Sequence, residues 1–294
     1  MVEELTGTGV ALVTPFDQEG NIDFPGFKRL LEHTAKGVDY WVVQGTTGES
    51  ATTTAEEKHA LLKFAKENNP KNLPLVYGIG GNNTAEVLRN IQDTDLSGVT
   101  ALLSVSPAYN KPSQEGIIKH FEVIAEASPV PVMLYNVPGR TGSNMKWETT
   151  VKLAEHPNIL GIKEASGDLS QCMRIAAYKP RDFLLISGDD ILTPAIIANG
   201  GVGLVSVLAN AFPQMGDMTR AALSQDYQKA RDLLFPLLAI NPLLYKESNP
   251  VGIKQALKEM GICEAYVRLP LLSPSEKLQS KIRQELINQG FVKG

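Results

Sequence analysis

Short apolar runs rich in strand-forming residues recur along the chain. Each is followed by loop chemistry and then by an amphipathic helical pattern. The runs are Thr8–Val13, Tyr40–Gln44, Leu75–Ile79, Thr100–Val105, Val130–Tyr135, Ile159–Lys163, Phe183–Ser187 and Val202–Val205. The helical patterns between them cover Phe24–Lys36, Glu56–Glu67, Ala85–Thr94, Gln114–Ala127, Trp147–Glu155, Leu169–Ala177 and Ile191–Asn199. Such alternation predicts βαβ units and a parallel sheet, and nearly continuous apolar runs are what strands covered by helices require. Local signals support the helices. Thr54-Ala55-Glu56-Glu57 has the form of a capping box, in which the threonine hydroxyl takes an orphan amide and Glu57 reaches back. Ser113, Asn144 and either Asp189 or Asp190 are further cap candidates, and Gly200-Gly201 follows the helix that ends at Asn199.

Eight strands with alternating helices predict an α/β fold, a closed (β/α)8 TIM barrel. A doubly wound sheet alternates in the same way, but no GxGxxG follows the first strand, which lowers that option. Beyond residue 206 no further strand is evident. Phe212–Leu223, Tyr227–Ala239, Val251–Gly261 and Ser273–Asn288 read as helices, the last barrel helix and a C-terminal helical appendage. The expected division is a barrel over 1–225 and a helical segment over 226–294, and 294 residues suit a barrel of ~250 residues with an addition.

Composition narrows the function classes. Hydrophobic residues make up 43% and charged ones 20%, an ordinary globular balance. A net charge of -4 argues against nucleic acid as the main partner, because phosphate binding needs a basic surface; a local basic pocket for an anionic substrate remains open. Cys172 and Cys263 form no CxxC or Cys/His pattern, so two reduced thiols in different helices are expected. The four histidines (His33, His59, His120, His156) are scattered in helical patterns with solvated neighbours, so no metal site is expected. Met1-Val2-Glu3-Glu4 is acidic and lacks the apolar run of a signal peptide. The longest apolar stretch, Leu233–Tyr245, is broken by Pro236, Asn241 and Pro242 and is too short to span a bilayer. A cytoplasmic protein with no membrane or nucleic-acid partner is expected.

Active sites of such barrels lie at the C-terminal ends of the strands. There Lys163 ends the apolar run Ile159-Leu160-Gly161-Ile162. One reading is a lysine that snorkels out at the strand mouth. The other is an amine that burial leaves partly neutral, as imine formation requires. Tyr135 ends another run; it is structural, or, beside an amine, a proton shuttle. Arg140, in Pro138-Gly139-Arg140-Thr141-Gly142, is a solvated loop residue or a bidentate carboxylate clamp. Gly45-Thr46-Thr47-Gly48-Glu49 lacks the lysine of a P-loop, but its amides and hydroxyls suit an anion. The loop Ser106–Pro112 carries Tyr109 near its tip. Gly78–Asn83 and Gly200–Gly203 lack phosphate-loop spacing and fit tight strand–helix packing.

In this order and spacing GTTGES, SPAYNKPSQEG, LYNVPGRTG, GIKEASG and SGDD resemble the dihydrodipicolinate synthase family of class I pyruvate-dependent aldolases and lyases. The resemblance runs over nearly the whole chain, from Gly9–Phe16 to Val267–Leu271. It implies that Lys163 forms an imine with pyruvate and that no other cofactor is needed. Thr46 and Thr47 would hold the pyruvate carboxylate, with Thr46 also in a proton relay. Tyr135 would move protons at the reacting carbons. Tyr109 would enter from a neighbouring subunit, and Arg140 would bind the carboxylate of L-aspartate 4-semialdehyde. Backbone groups of Gly188 and Val205 would line the pocket. The implied role is a step in diaminopimelate and lysine synthesis, carried out by a homotetramer built as a pair of tight dimers.

Two features depart from the pattern. Ala108 replaces the first of two tyrosines often seen in the fourth loop. In lysine-inhibited relatives that tyrosine helps to form an effector pocket, to which Ser50, Asn82 and Glu86 match here. Ala55 and Lys58 stand where those relatives often carry histidine, and Lys58 adds a positive charge. Weak or absent lysine inhibition is therefore expected. The main rival is a sister aldolase acting on N-acetylneuraminate or a keto-deoxy sugar acid; Thr46-Thr47, Tyr109 and Arg140 in their contexts favour the synthase. A non-catalytic ligand-sensing barrel is disfavoured by the presence of Lys163, Tyr135 and Thr46 together.

Overall fold

All eight apolar runs become strands in the computed structural model, which describes residues 3–294. Met1 and Val2, half of the N-terminal stretch considered above, lie outside the described residues. The strands are β1 Gly7–Ala11, β2 Tyr40–Val43, β3 Leu75–Gly78, β4 Ala101–Val105, β5 Val132–Asn136, β6 Ile159–Glu164, β7 Leu184–Ser187 and β8 Gly203–Ser206. Each pairs in parallel with the next, and β8 pairs with β1, so the sheet closes into a barrel. After the strands come α1 Phe24–Thr34, α2 Ala55–Glu67, α3 Thr84–Asp93, α4 Gln114–Ala127, the single turn α5 Pro138–Thr141, α6 Trp147–Leu153, α7 Leu169–Tyr178, α8 Thr193–Ala198 and α9 Met215–Leu223. The C-terminal helices are α10 Tyr227–Leu234, α11 Asn241–Tyr245, α12 Val251–Glu259 and α13 Glu276–Asn288.

The pleat divides the core in two. Val42, Val76, Leu103, Met133 and Ile186 belong to one buried group with Leu5 and Tyr40. Their strand neighbours Trp41, Val43, Leu102, Leu134 and Leu185 belong to a second group with Phe27, Leu61, Phe121 and Ile175 of the helices. Successive side chains leave a strand on opposite faces. The first group therefore fills the barrel, and the second welds strands to helices.

The Thr54 capping box forms as expected: Glu57 N–H donates to Thr54 Oγ1 (3.2 Å) and Thr54 N–H to Glu57 Oε2 (2.8 Å). Ser113 accepts from Gly116 N–H at 3.2 Å. Asp189 accepts from the amides of Ile191 and Leu192 and so caps the turn that enters α8. Asp190 turns away from that helix to Ser206. Asn144 is not a cap; Lys146 occupies the N-cap of α6, and the Asn144 amide bridges Asn136 and Gln171. The pattern read as one helix over Tyr227–Ala239 divides into α10 and a 3-10 turn at Phe235–Leu238, because Pro236 has no amide hydrogen to continue the ladder. Cys263 lies just beyond α12 rather than in a helix. Both cysteines are free and buried, and burial pushes their thiols up to about 12, so neither supplies a thiolate nucleophile near neutrality.

Among the described residues no group of His, Cys, Asp and Glu is arranged to hold a metal ion. No helix among them is long and apolar enough to cross a membrane. His120 departs from its solvated expectation: it is 6% exposed, bonded through Nδ1 to Thr84 Oγ1 at 2.8 Å, with Nε2 unpartnered.

Burial lowers the His120 pKa to about 4, whereas the unfolded chain keeps the ordinary value near ~6.5. On acidification the unfolded state takes the proton first. The stability linked to neutral His120 is thus present above pH ~6.5 and lost as pH falls from there toward the folded value, by about 2 kcal/mol at pH ~5. Urea denaturation of wild type and His120→Gln at pH 7 and pH 5 checks this. The variant is expected to lose about 2 kcal/mol less on acidification, and equal losses would refute it.

Candidate active site

Lys163 is the fifth residue of β6 and is 5% exposed. Register places it between Tyr135 of β5 and Ile186 of β7. Its Nζ stands 4.4 Å from the centroid of the Tyr135 ring. None of the ion pairs among the described residues includes Lys163. Glycine at 188 makes room for the lysine stem: a Cβ there would lie 3.0 Å from Lys163 Cε and 2.6 Å from Ala165 Cβ. Val205 of β8 is buried and belongs to the same apolar group as Tyr135.

The loop after β2 turns through a 3-10 segment at Thr46–Gly48. Gln44 and Glu49 flank it with left-handed backbones, φ 60° and 54°. A chain of side-chain bonds braces the turn. Thr14 Oγ1 donates to the Gly48 carbonyl (2.7 Å), Gln44 Nε2 donates to Thr14 Oγ1 (3.3 Å), and Thr53 Oγ1 donates to Gln44 Oε1 (2.8 Å). Thr46 is half-buried, and Thr47 is buried with its Oγ1 accepting from Asn249 Nδ2 at 3.0 Å. Thr46 and Tyr135 line one end of a cleft of about 560 Å³ whose lining also includes Ser50, Lys58, Asn82 and Glu86. Thr46, expected at the pyruvate carboxylate, and the suspected effector residues therefore share one cavity, whose lining does not include Thr47.

Arg140 projects from α5 and is exposed. Tyr109 is not brought to Lys163 within the chain. Its ring is 89% exposed, and its backbone is left-handed at φ 71°, uncommon for a bulky residue. The loop beneath it is fixed: Tyr109 N–H donates to the Thr141 carbonyl, Asn82 Nδ2 to the Ala108 carbonyl and Asn110 Nδ2 to the Asn82 carbonyl.

Lys163 is thus buried without an ion-pair partner, facing Tyr135 at the C-terminal mouth of the barrel, and the chain that carries it is similar to known proteins. The sequence profile of the dihydrodipicolinate synthetase family matches residues 4–289. The chain belongs to that family. It is 52% identical to the 4-hydroxy-tetrahydrodipicolinate synthase of Cytophaga hutchinsonii, over 95% of this chain and 94% of that one. It is 45% identical to the Flavobacterium psychrophilum enzyme of the same name, over 96% and 97%. The crystal structure of dihydrodipicolinate synthase from Aquifex aeolicus superimposes with a TM-score of 0.94 at 34% identity, covering 99% of this chain and 100% of that one. A monomeric dihydrodipicolinate synthase variant superimposes with a TM-score of 0.95 at 35% identity, over 99% of both chains.

Around this synthase-family site the fold supplies polar supports to which sequence reasoning gave no role at the site. Glu164, next to Lys163, leaves β6 on the opposite face and is 1% exposed. Both its oxygens accept from Asn136 Nδ2 (3.1 and 3.0 Å), Oε1 accepts from Ser166 N–H (2.7 Å) and Oε2 from Gln171 Nε2 (3.0 Å). Burial raises the Glu164 pKa, and these donors oppose the rise. Asp190 is pushed up to about 6 by burial, opposed by bonds from Ser206 and the amides of Leu208 and Val207. The Tyr245 hydroxyl lies 3.5 Å from Asp190 Oδ2; burial first, then the Asp190 charge, raise its pKa.

The deepest support is an ion pair. Lys254 Nζ and Glu49 meet with side chains 0% and 2% exposed. Lys254 also donates to the Tyr266 carbonyl at 2.7 Å, and Arg268 N–H donates to Glu49 Oε2 at 3.1 Å. Lys254 Nζ and the Arg268 guanidinium each lie over the Phe16 ring, at 4.2 and 4.3 Å. A sequence clue existed: Lys254 sits three residues from both Val251 and Leu257, on a stripe that helical spacing turns inward.

Removing one partner of a buried pair strands the other charge, at a cost of about 3–5 kcal/mol. Lys254→Met is therefore expected to lower unfolding stability by about that amount, while Lys254→Met combined with Glu49→Leu recovers most of the loss. Chemical denaturation of the two variants decides it; a double variant as unstable as the single one would show that the stranded charge is not the cause.

Proposed function

We propose that the chain condenses pyruvate with L-aspartate 4-semialdehyde, as a 4-hydroxy-tetrahydrodipicolinate synthase of diaminopimelate and lysine synthesis. The observation that carries this reading is Lys163, buried at the end of β6 against Tyr135 with no acid paired to it. Neutral Nζ attacks the pyruvate carbonyl carbon and, with loss of water, gives an imine. Loss of a methyl proton turns the imine into an enamine, whose carbon attacks the aldehyde of the second substrate. The amino group of that substrate then closes on the imine carbon and releases Lys163. Pyruvate is held covalently, so no further cofactor enters.

Role by role, Tyr135 carries protons to and from the reacting carbons, and its ring stacked on the amine supports that role. Thr46 and Thr47 receive the pyruvate carboxylate, with Thr46 in the proton relay. Gly188 and Val205 line the pocket with backbone groups. Arg140 binds the carboxylate of the second substrate, for which its exposure at the rim suits it. Tyr109 completes the relay from a second copy across a tight dimer, within a homotetramer. Its exposed ring on a fixed, left-handed loop supports delivery to a neighbour. Residues 1–225 form the catalytic barrel and 226–294 its helical appendage, in a protein of the cytoplasm. Over a sister sugar-acid aldolase, the synthase reading is supported by the Cytophaga hutchinsonii and Flavobacterium psychrophilum relatives, which match along nearly the whole chain and carry the synthase name.

Borohydride reduction with pyruvate tests the nucleophile. Wild type is expected to gain the mass of reduced pyruvate and Lys163→Ala to gain none, with turnover of L-aspartate 4-semialdehyde falling at least ~10³-fold in the variant. An equal mass gain in both would remove Lys163 from the mechanism.

The Ser50, Asn82 and Glu86 end of the cleft is the proposed lysine pocket, altered by Ala55, Ala108 and Lys58. Burial lowers the Lys58 pKa and the Glu86 charge opposes that shift, so the chain places its own cation beside the carboxylate a cationic effector would need. Lysine at millimolar concentration is expected to leave most turnover intact, and Lys58→Ala to make inhibition stronger. Loss of half the wild-type turnover at that concentration would overturn this reading.

A further inference from the structure

The proposed carboxylate-binding hydroxyl of Thr47 is not free to rotate. Its backbone lies in the braced Thr46–Gly48 turn, and its Oγ1 receives a hydrogen bond from Asn249 Nδ2 at 3.0 Å. The two residues are 202 positions apart. Asn249 lies between α11 and α12 and is 7% exposed. A threonine hydroxyl has one hydrogen to donate and two lone pairs to accept with. When Asn249 donates to the oxygen, the hydroxyl hydrogen is left to donate elsewhere, which a hydroxyl facing a carboxylate must do.

Two observations set Asn249 apart from ordinary packing. Its Oδ1 is buried with no partner, and an unmet buried acceptor is costly to keep. The residue before it, Ser248, has φ 82°, a conformation disfavoured for any residue with a side chain. The segment is held there by Ser248 N–H to the Tyr245 carbonyl and Val251 N–H to the Ser248 carbonyl, both 3.1 Å. Five residues on, Lys254 pins α12 to Glu49, at the other end of the threonine turn. Both ends of the contact are thus held, and the bond from Asn249 acts on the rotation of the Thr47 hydroxyl.

We propose that Asn249 is a positioning residue for the reaction: its carboxamide orients the Thr47 hydroxyl toward the pyruvate carboxylate, making the appendage part of the substrate site. This rests on the reading that Thr47 binds that carboxylate. Asn249 acts on pyruvate through Thr47 and not on the second substrate.

The test measures kcat and both KM values for wild type, Asn249→Ala, Asn249→Asp, Thr47→Ala and the Thr47→Ala/Asn249→Ala double variant. The pyruvate concentration that half-saturates borohydride trapping is measured beside them. Asn249→Ala is expected to raise the pyruvate KM and the trapping half-saturation roughly 10-fold, the scale of one hydrogen bond to a charged group, with the KM for L-aspartate 4-semialdehyde within about 2-fold of wild type. Asn249→Asp, of the same shape, is expected to do more, because a carboxylate claims the hydroxyl hydrogen and repels the substrate's charge. It also keeps the test decisive if Asn249→Ala fails to fold. The double variant is expected to be no worse than Thr47→Ala, since a residue acting only through Thr47 has nothing left to act on. Multiplicative losses in the double variant, equal rises in both KM values, or an unchanged pyruvate KM in either Asn249 variant would overturn the inference alone. Absence of pyruvate trapping in wild type would overturn the reading of the reaction and this inference with it.

Discussion

The pleat of two adjacent strands is the constraint on which the site depends. Tyr135 pairs with Lys163 and Asn136 with Glu164, and the alternation of side chains sends these two pairs to opposite faces of the barrel. Inside, an amine stands against an aromatic ring. Outside, a carboxylate takes every donor that Asn136, Ser166 and Gln171 offer it. Adjacent residues of opposite charge would ordinarily neutralise each other. Here the strand keeps Glu164 away from Lys163 and spends its charge on joining the ends of β5 and β6. A slip of one residue in β6 would exchange its faces, leaving a carboxylate in the lumen and an amine among the helices.

The same separation of tasks governs the second lysine. Lys254 is buried as deeply as Lys163 but is held by Glu49 and the Tyr266 carbonyl, over Phe16. A buried ion pair repays its desolvation only in part and adds little net stability over apolar residues of the same shape. Its contribution is geometric. Glu49 closes the Thr46–Gly48 turn, so fixing Glu49 from α12 holds the turn at its C-terminal end. Arg268 extends the clamp through bonds to the Gly20 and Thr52 carbonyls and to Glu57. The appendage ties the β1 and β2 loops to one another, and rigidity under a binding loop preorganises it for its ligand.

How far these features could be read from the sequence depended on their range. Each barrel strand was visible as an apolar run, because burial on both faces removes polar residues from it. The Thr54 box was visible because its partners are three residues apart. Lys163 stood out as a charge at the end of such a run. Lys254 is legible only as a charge on an inward stripe, with its partner 205 residues away, and Asn249 is not legible at all, because what gives it meaning lies 202 residues away. Asn144 shows the same limit from the other side. Its local setting favours a cap, yet it is drawn into the Asn136–Gln171 network instead, since a buried amide must find partners wherever they are. His120 followed a helical pattern with polar neighbours, and only tertiary packing of α3 against α4 enclosed it.

Tyr109 poses the opposite question, since everything around it is fixed except what its ring touches. Asn82, Asn110 and Thr141 hold the loop backbone, and a left-handed conformation at a bulky residue costs about 1–3 kcal/mol. That cost is met in the isolated chain, where the exposed ring gains nothing from it. A loop strained and braced in advance loses little further entropy on docking, so the arrangement favours association with a surface outside the chain. The proposed dimer supplies such a surface and a use for the phenol at once.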